Sequence, residues 1–168
     1  MNRLKLTDQL DAGLIFDTLA KRYPPEKWQA VLQGQDHAQA RCAFIDYCRN
    51  YPSVGFEYDG RPIGGMMFDG REAHLEVLPE YHGRWALLWP RTLAWLFAIQ
   101  DPILVRIEID NEKCLRFMDR NNWRRVSVDD EYVTYQMTSA GSAHLQRRAR
   151  GKRTQRAAEP PFDTETKK

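Results

Sequence analysis

Between Leu104 and Trp123 the sequence reads as a strand, a cap, a helix and a second cap with no spacer, and this unit says most about the chain. Leu104 to Ile109 is an apolar, β-branched run that stops at Asp110–Asn111. A helix-period segment begins at once, with Cys114, Leu115, Phe117 and Met118 on its apolar side. Asn111 stands at the N-cap position, where its side-chain oxygen accepts an amide proton from the first turn. Asn122 stands where a helix closes through a left-handed residue, a place that favours Gly first and Asn next. Trp123 then opens a new apolar stretch.

The rest of the chain supplies partners for this unit. Arg3 to Leu6 alternates as a short first strand. Thr7 or Asp8 is placed to cap a helix over about 8–22, with Leu10, Leu14, Ile15, Phe16 and Leu19 in an apolar stripe. Pro24–Pro25 ends that helix, and Pro25 suits the first position of the next. Residues 25–50 read as one or two helices broken near Gly34, with Trp28, Val31, Leu32, Ala43, Phe44 and Tyr47 expected inward. Asp59-Gly60 and Asp69-Gly70 are turn signatures, so residues 54–77 predict three consecutive antiparallel strands. Pro79 ends the third strand, because it has no N–H for a ladder.

A helix over about 84–99 follows, with Leu87, Leu88, Leu93, Trp95, Leu96 and Ile99 apolar. As a crossover of roughly 16 residues, it predicts that strands 73–77 and 104–109 run parallel in one sheet. Val126 and Tyr132 to Met137 add two short strands. The order β, α, α, β, β, β, α, β, α, β, β predicts an α/β domain, a mixed sheet with helices on both faces.

Composition sets limits. The chain has 168 residues, 42% of them hydrophobic, enough for one cored domain. No apolar run approaches the roughly 18 residues of a membrane span. The N-terminus has no apolar stretch of the kind that directs export, so a cytoplasmic location is expected. The histidines (37, 74, 82 and 144) show no metal-binding spacing, so no metal is expected. The three cysteines form no C-x-x-C pair and read as buried thiols in a reducing cytosol.

Two motifs carry a resemblance. Asn111, Cys114, Met118, Asn122 and Trp123 follow the spacing of N-x-x-A-x-x-x-Y-x-x-x-G-F, with four of the five side chains changed. Val77-Leu78-Pro79-Glu80-Tyr81-His82-Gly83-Arg84-Trp85-Ala86-Leu87 is similar to V-x-P-x-Y-[QR]-G-x-G-x-[GA]. With the element order, these resemble the Gcn5-related N-acetyltransferase (GNAT) superfamily over about Arg3 to Met137. The resemblance implies a GNAT-like domain over residues 1–138, two splayed strands, and acetyl-CoA lying in the gap as cosubstrate.

It also implies a pyrophosphate site at Val77, Leu78, His82, Gly83, Arg84 and Trp85, with Asn111 nearby. Such a site needs backbone N–H donors at a helix start. Gly83 lets the backbone approach, Arg84 adds positive charge, and the Trp85 ring must turn aside. The tyrosine acid that this family often uses falls at Met118, which has no proton to give.

Glu76 or His74 is the candidate general base, since alternation puts both on one face of a strand near the gap. The same pair also reads as an ordinary polar strand face, and Asn111 also reads as a cap alone. The oxyanion donor is expected at the Val77 or Leu78 amide. The implied function is acyl-CoA-dependent N-acyltransfer, with acetyl-CoA and an unknown amine acceptor as partners. Arg116-Phe117 followed by Asn122-Trp123, and a loop poorer in glycine, give a narrower resemblance. It is to short acetyltransferase-like proteins of tailed bacteriophages, which implies instead a catalytically inactive virion or host-interaction protein, in host cytoplasm or virion.

Charge is unevenly spread. Residues 147–168 hold eight Lys/Arg against three Asp/Glu, a net +5, and the remaining body is about −3 of the chain's +2. With one aromatic residue and no apolar period, residues 139–168 read as a flexible basic tail. Its stretch 147–156 suits nucleic acid or another anionic partner through counterion release, and equally suits a solubilising appendage.

Overall fold

The computed structural model describes residues 3–143 and 145. It is a mixed α/β domain with two sheets. Strand β1 (Leu4–Thr7) leads to helices α1 (Ala12–Arg22), α2 (Pro25–Leu32) and α3 (His37–Arg49). Strands β2 (Ser53–Tyr58), β3 (Arg61–Phe68) and β4 (Ala73–Val77) follow. Helix α4 (Trp89–Ile99), strand β5 (Ile103–Glu108), helix α5 (Glu112–Arg120) and strands β6 (Arg124–Val128) and β7 (Tyr132–Met137) complete it.

The first four strands pair in chain order, all antiparallel. Their turns carry the expected chemistry. Asp59 and Gly60 both have positive φ (50° and 81°), the geometry that matches the twist of a tight hairpin. At the next turn Asp69 Oδ1 accepts the Arg71 and Glu72 amides at 2.8 Å each.

The second sheet has the order β5-β7-β6, also antiparallel. Strands β4 and β5 are parallel neighbours, as the crossover requires, but they share a single bridge, Glu72 to Leu104. The one continuous sheet expected from the sequence is thus divided, and a gap opens past the bridge.

Helices cover both faces. Leu93 and Leu96 of α4 and Met118 of α5 are buried with Phe56, Met66, Val77, Ile103 and Tyr135 of the strands. A second cluster joins α1, α2 and α3 through Phe16, Trp28, Leu32 and Ala40. Gly65 faces this helical layer, where a Cβ would lie 2.5 Å from that of Leu10. Strand β6 sits at a sheet edge with every residue exposed. No helix among the described residues is long and apolar enough to cross a membrane.

Several local expectations shift. Thr7 belongs to β1, opposite Gly55, so Asp11 caps α1 instead and accepts the Leu14 amide at 2.9 Å. Val31, Ala43 and Tyr47 face solvent, because α2 and α3 bury only the side turned to α1. Helix α4 starts at Trp89, with Pro90 in its first turn; residues 79–81 and 85–88 form separate single-turn 3-10 segments that leave Leu87 exposed.

The packed body also runs beyond residue 138. Ser139 hydrogen-bonds Asp101 through its amide and hydroxyl, Ser142 is buried, and Leu145 packs against the main core. The basic stretch 147–156 lies outside the described residues. A chain ending at Ser139 is therefore expected to melt several degrees below one ending at Gln146, read by thermal denaturation.

Gly64 has φ 152°, and a Cβ there would lie 2.4 Å from the Glu76 carbonyl oxygen. Gly83 has nothing within 4 Å of its would-be Cβ. Gly64→Ala should cost about 2–3 kcal/mol, and Gly83→Ala should leave urea unfolding almost unchanged. Equal midpoints for the two variants would contradict this.

Candidate functional site at the strand gap

Hydrogen-bond parity decides what faces the gap. Leu78 N–H donates to the Ile63 carbonyl at 2.9 Å, so residues 76 and 78 turn their peptide groups to β3. Leu75 and Val77 consequently turn theirs toward β5. On the other side, Ile109 N–H donates to Glu131, so Arg106 and Glu108 face β4. Two of these gap-facing carbonyls are engaged. Asn111 N–H donates to that of Glu108 at 2.9 Å, and His82 Nε2 lies 2.9 Å from that of Val77.

A cavity of about 480 Å³ occupies the gap and the space beneath α1 and α3. Glu76 and His74 both line it, as alternation predicts, but they are not bonded to each other. His74 Nε2 lies 2.8 Å from Asp69, and its side chain is half exposed. Glu76 Oε2 meets Arg22 Nη1 at 2.7 Å, and only 10% of the Glu76 side chain is exposed. Burial pushes the Glu76 carboxyl above its ordinary value; the Arg22 and His82 charges and the Val77 amide oppose this, and Glu108 adds to it.

Arg22 and Tyr23 connect this carboxylate to the far strand. Arg22 Nη2 donates to Tyr23 Oη at 3.3 Å, and Tyr23 Oη donates to Glu108 Oε1 at 3.1 Å. Glu76 at the end of β4 and Glu108 at the end of β5 are thereby joined across the gap. Cys114 and Trp89 also line the cavity. The Trp89 indole is 3% exposed, and its Nε1 has no hydrogen-bond partner.

The loop after β4 divides into two parts. Trp85 turns inward, stacking on Phe56 at 6.0 Å and meeting the edges of Trp89 and Phe117. Its ring is core and leaves the loop surface open. Arg84 lies on that surface, 5.3 Å from the Tyr58 ring centre, and Gly83 is exposed beside it. The amides of Tyr81, His82, Arg84 and Leu87 turn inward to backbone carbonyls; those of Gly83, Trp85 and Ala86 take none. The Leu78 amide, one of two expected oxyanion donors, is spent on Ile63. Asn111 is the cap of α5, accepting from Cys114 N at 3.2 Å, and its side chain also reaches the cavity.

No family model matches the sequence, and no curated protein matches it. Solved structures do match. A mutant form of spermidine N-acetyltransferase SpeG from Vibrio cholerae aligns at 14% identity and TM-score 0.64, over 88% of this chain and 99% of that one. The putative acetyltransferase yncA from Salmonella typhimurium, solved with acetyl-CoA, gives 16% and 0.53 over 82% and 94%. Campylobacter jejuni N-acetyltransferase PseH in complex with acetyl coenzyme A gives 15% and 0.53 over 80% and 98%. This chain has the GNAT fold.

Within that fold, reading the sequence missed Arg22, Tyr23, Glu108 and Trp89. One signal was present for Glu108. Leu75-Glu76-Val77 and Ile107-Glu108-Ile109 place the same apolar–Glu–apolar triplet at the ends of both gap-flanking strands. Arg22 has no such signal, because a basic residue in a last helical turn is common for dipole reasons alone.

Thiol chemistry checks the placement of α5. Burial pushes Cys48 and Cys114 up to about 11, and for Cys114 Arg22 opposes and Glu76 adds. Cys42 is exposed. One thiol should therefore react quickly with a disulfide reagent in the native GNAT fold and all three in denaturant; rapid labelling of Cys114 would contradict this geometry.

Proposed function

We propose that the protein is an acyl-CoA-dependent N-acyltransferase that moves an acetyl group from acetyl-CoA to an amine. The observation that carries this is the strand gap with a buried carboxylate at its edge. Proteins of the same fold, yncA and PseH, have been solved with acetyl-CoA.

The residues present fit that cosubstrate at two places. The unpaired amides of Gly83, Trp85 and Ala86, with Arg84 beside them, form an exposed cradle for the pyrophosphate. The gap-facing peptide groups of Leu75 and Arg106 suit the amides of the pantetheine arm. Bound there, acetyl-CoA supplies an activated thioester carbonyl.

Glu76 takes the proton from the acceptor amine as it attacks. A carboxylate raised by burial accepts a proton more readily than an exposed one, and the Arg22 charge opposes that rise and favours the ionised form. His74 is the weaker candidate, since it points to Asp69. Of the two strand-end amides, Leu78 is spent on Ile63, and Val77, on the gap side, would serve as oxyanion donor only by leaving the Glu76 carboxylate it supports. Met118 gives no proton, so the thiol leaves as its anion or is protonated by water, which an ordinary thiol pKa of roughly 8.5 permits.

A second reading has one observation in its favour. Arg22 already holds the Glu76 carboxylate, and His82 already holds the Val77 carbonyl. A non-catalytic protein that keeps the scaffold for a bacteriophage virion or host-interaction role has no use for either group being free.

Calorimetric titration separates the two. Saturable binding of acetyl-CoA and coenzyme A, weakened by Gly83→Val, supports the enzyme; no heat at millimolar ligand supports the scaffold. In the enzyme, Glu76→Gln should spare acetyl-CoA binding and lower turnover on the order of 100-fold. The acid limb of kcat/KM should fall above the ordinary carboxylate range, because protonating Glu76 removes the base and burial raises the pH at which this happens. A limb that persists in Glu76→Gln would assign the base elsewhere.

A further inference from the structure

We infer that the acceptor is a small amine carrying a second positive charge, held by Glu108, and that Arg22, bonded to Glu76 and reaching Glu108 through Tyr23, competes with it for this pair of acids in the free protein. This rests on the acyltransferase reading and names its acceptor.

The cavity has a lopsided charge. Four carboxylates line it, Asp69, Glu72, Glu76 and Glu108, against the guanidinium groups of Arg22 and Arg106. Three of the four meet a basic side chain directly: Asp69 meets His74, Glu72 meets Arg106 at 3.8 Å, and Glu76 meets Arg22. Glu108 is different. Its hydrogen-bond partner is the Tyr23 hydroxyl, a neutral donor. A half-buried carboxylate whose hydrogen-bond partner is neutral attracts a cation more strongly than one already paired with a basic side chain.

Arg22 is placed to be that cation's substitute. It ends α1, immediately before Tyr23 and Pro24, so its backbone sits where the helix stops. Its guanidinium bonds Glu76 on one strand and, through Tyr23, reaches Glu108 on the other. A free side chain therefore spans the two acids that flank the reacting position.

The chemistry balances with these groups. A diamine enters with one end neutral, and the other end remains an ammonium at Glu108. The neutral nitrogen attacks the thioester carbonyl, a C–N bond forms and the C–S bond breaks. The proton released from that nitrogen passes to the Glu76 carboxylate and on to solvent, and coenzyme A departs as the thiolate, which takes its proton from water. The product keeps one cation and has lost the other, so its hold on the cavity is weaker than the substrate's.

The test uses the full-length protein with 1,4-diaminobutane and with butylamine, its single-charge counterpart. Calorimetry in the presence of coenzyme A should show saturable diamine binding, at least 10-fold tighter than butylamine. Glu108→Gln should weaken the diamine at least 10-fold while leaving butylamine and acetyl-CoA unchanged. Arg22→Gln should tighten diamine binding several-fold, since it removes the internal competitor; a purely structural Arg22 predicts the reverse. In acetyl transfer, the Glu108→Gln effect should appear in KM for the diamine with little change in kcat. Equal binding of the two amines, or equal loss of both in Glu108→Gln, overturns the inference, as does acetyl-CoA binding with no diamine binding. Failure to bind acetyl-CoA itself overturns the parent reading instead. Should Glu108→Gln unfold, Tyr23→Phe provides the second arm: it frees the carboxylate, so diamine affinity should hold or rise, and a loss would count against the inference.

Discussion

Two parallel strands that touch at one pair of residues and then part leave peptide groups inside the protein with no ladder to join. Each such group must find another partner, because a buried N–H or C=O without one costs about 1–3 kcal/mol. Much of this structure answers that demand. The Val77 carbonyl is met by His82, folded back from the following loop, and the Glu108 carbonyl by the turn at Asn111. The groups that remain open to the gap, on Leu75 and Arg106, define where an extended, amide-bearing ligand fits. The gap therefore accounts for the loop, the cap and the cavity together.

Burial of charge is the second constraint, and the two are coupled. A lone carboxylate at the depth of Glu76 would face a desolvation penalty of several kcal/mol, which favours its neutral form. Arg22 offsets that penalty from a neighbouring helix. The aromatic group of Trp85, Trp89 and Phe117 has a matching role on the apolar side, since its rings fill volume between α4, α5 and the strands. Apolar rings thus line one side of the gap while ionic groups gather on the other.

The legible parts of the sequence were those written in local chemistry. Asp59-Gly60 announces its hairpin, and Asn111 and Asn122 announce both ends of α5; Asn122 has φ 58° as a left-handed closing residue should. Strand alternation placed His74 and Glu76 on one face correctly. Periodicity alone did not show which faces of α2 and α3 lack a neighbour, so Val31 and Tyr47 were expected inside. Pro90 carried a helix-start signal that the longer apolar run obscured. The Arg22–Tyr23–Glu108 connection was the least legible, because Tyr23 and Glu108 are 85 residues apart and the fold alone brings them together. The loop glycine was readable as a motif, but its open surroundings were visible only in three dimensions.

Strand β6 has a bearing on how the molecule behaves among its copies. It is an outer strand with all five residues exposed, and Val126 and Val128 are apolar. A bare strand of this kind is a template on which another chain can add, the first step toward fibrils. Arg124 and Arg125 open that edge, and Arg125 is tied to Asp119. An incoming strand would have to strip water from these guanidinium groups and accommodate the irregular register between Arg125 and Ser127. The exposed margin thereby carries both charge and a kink against self-assembly, and neutralising either arginine would remove part of that guard.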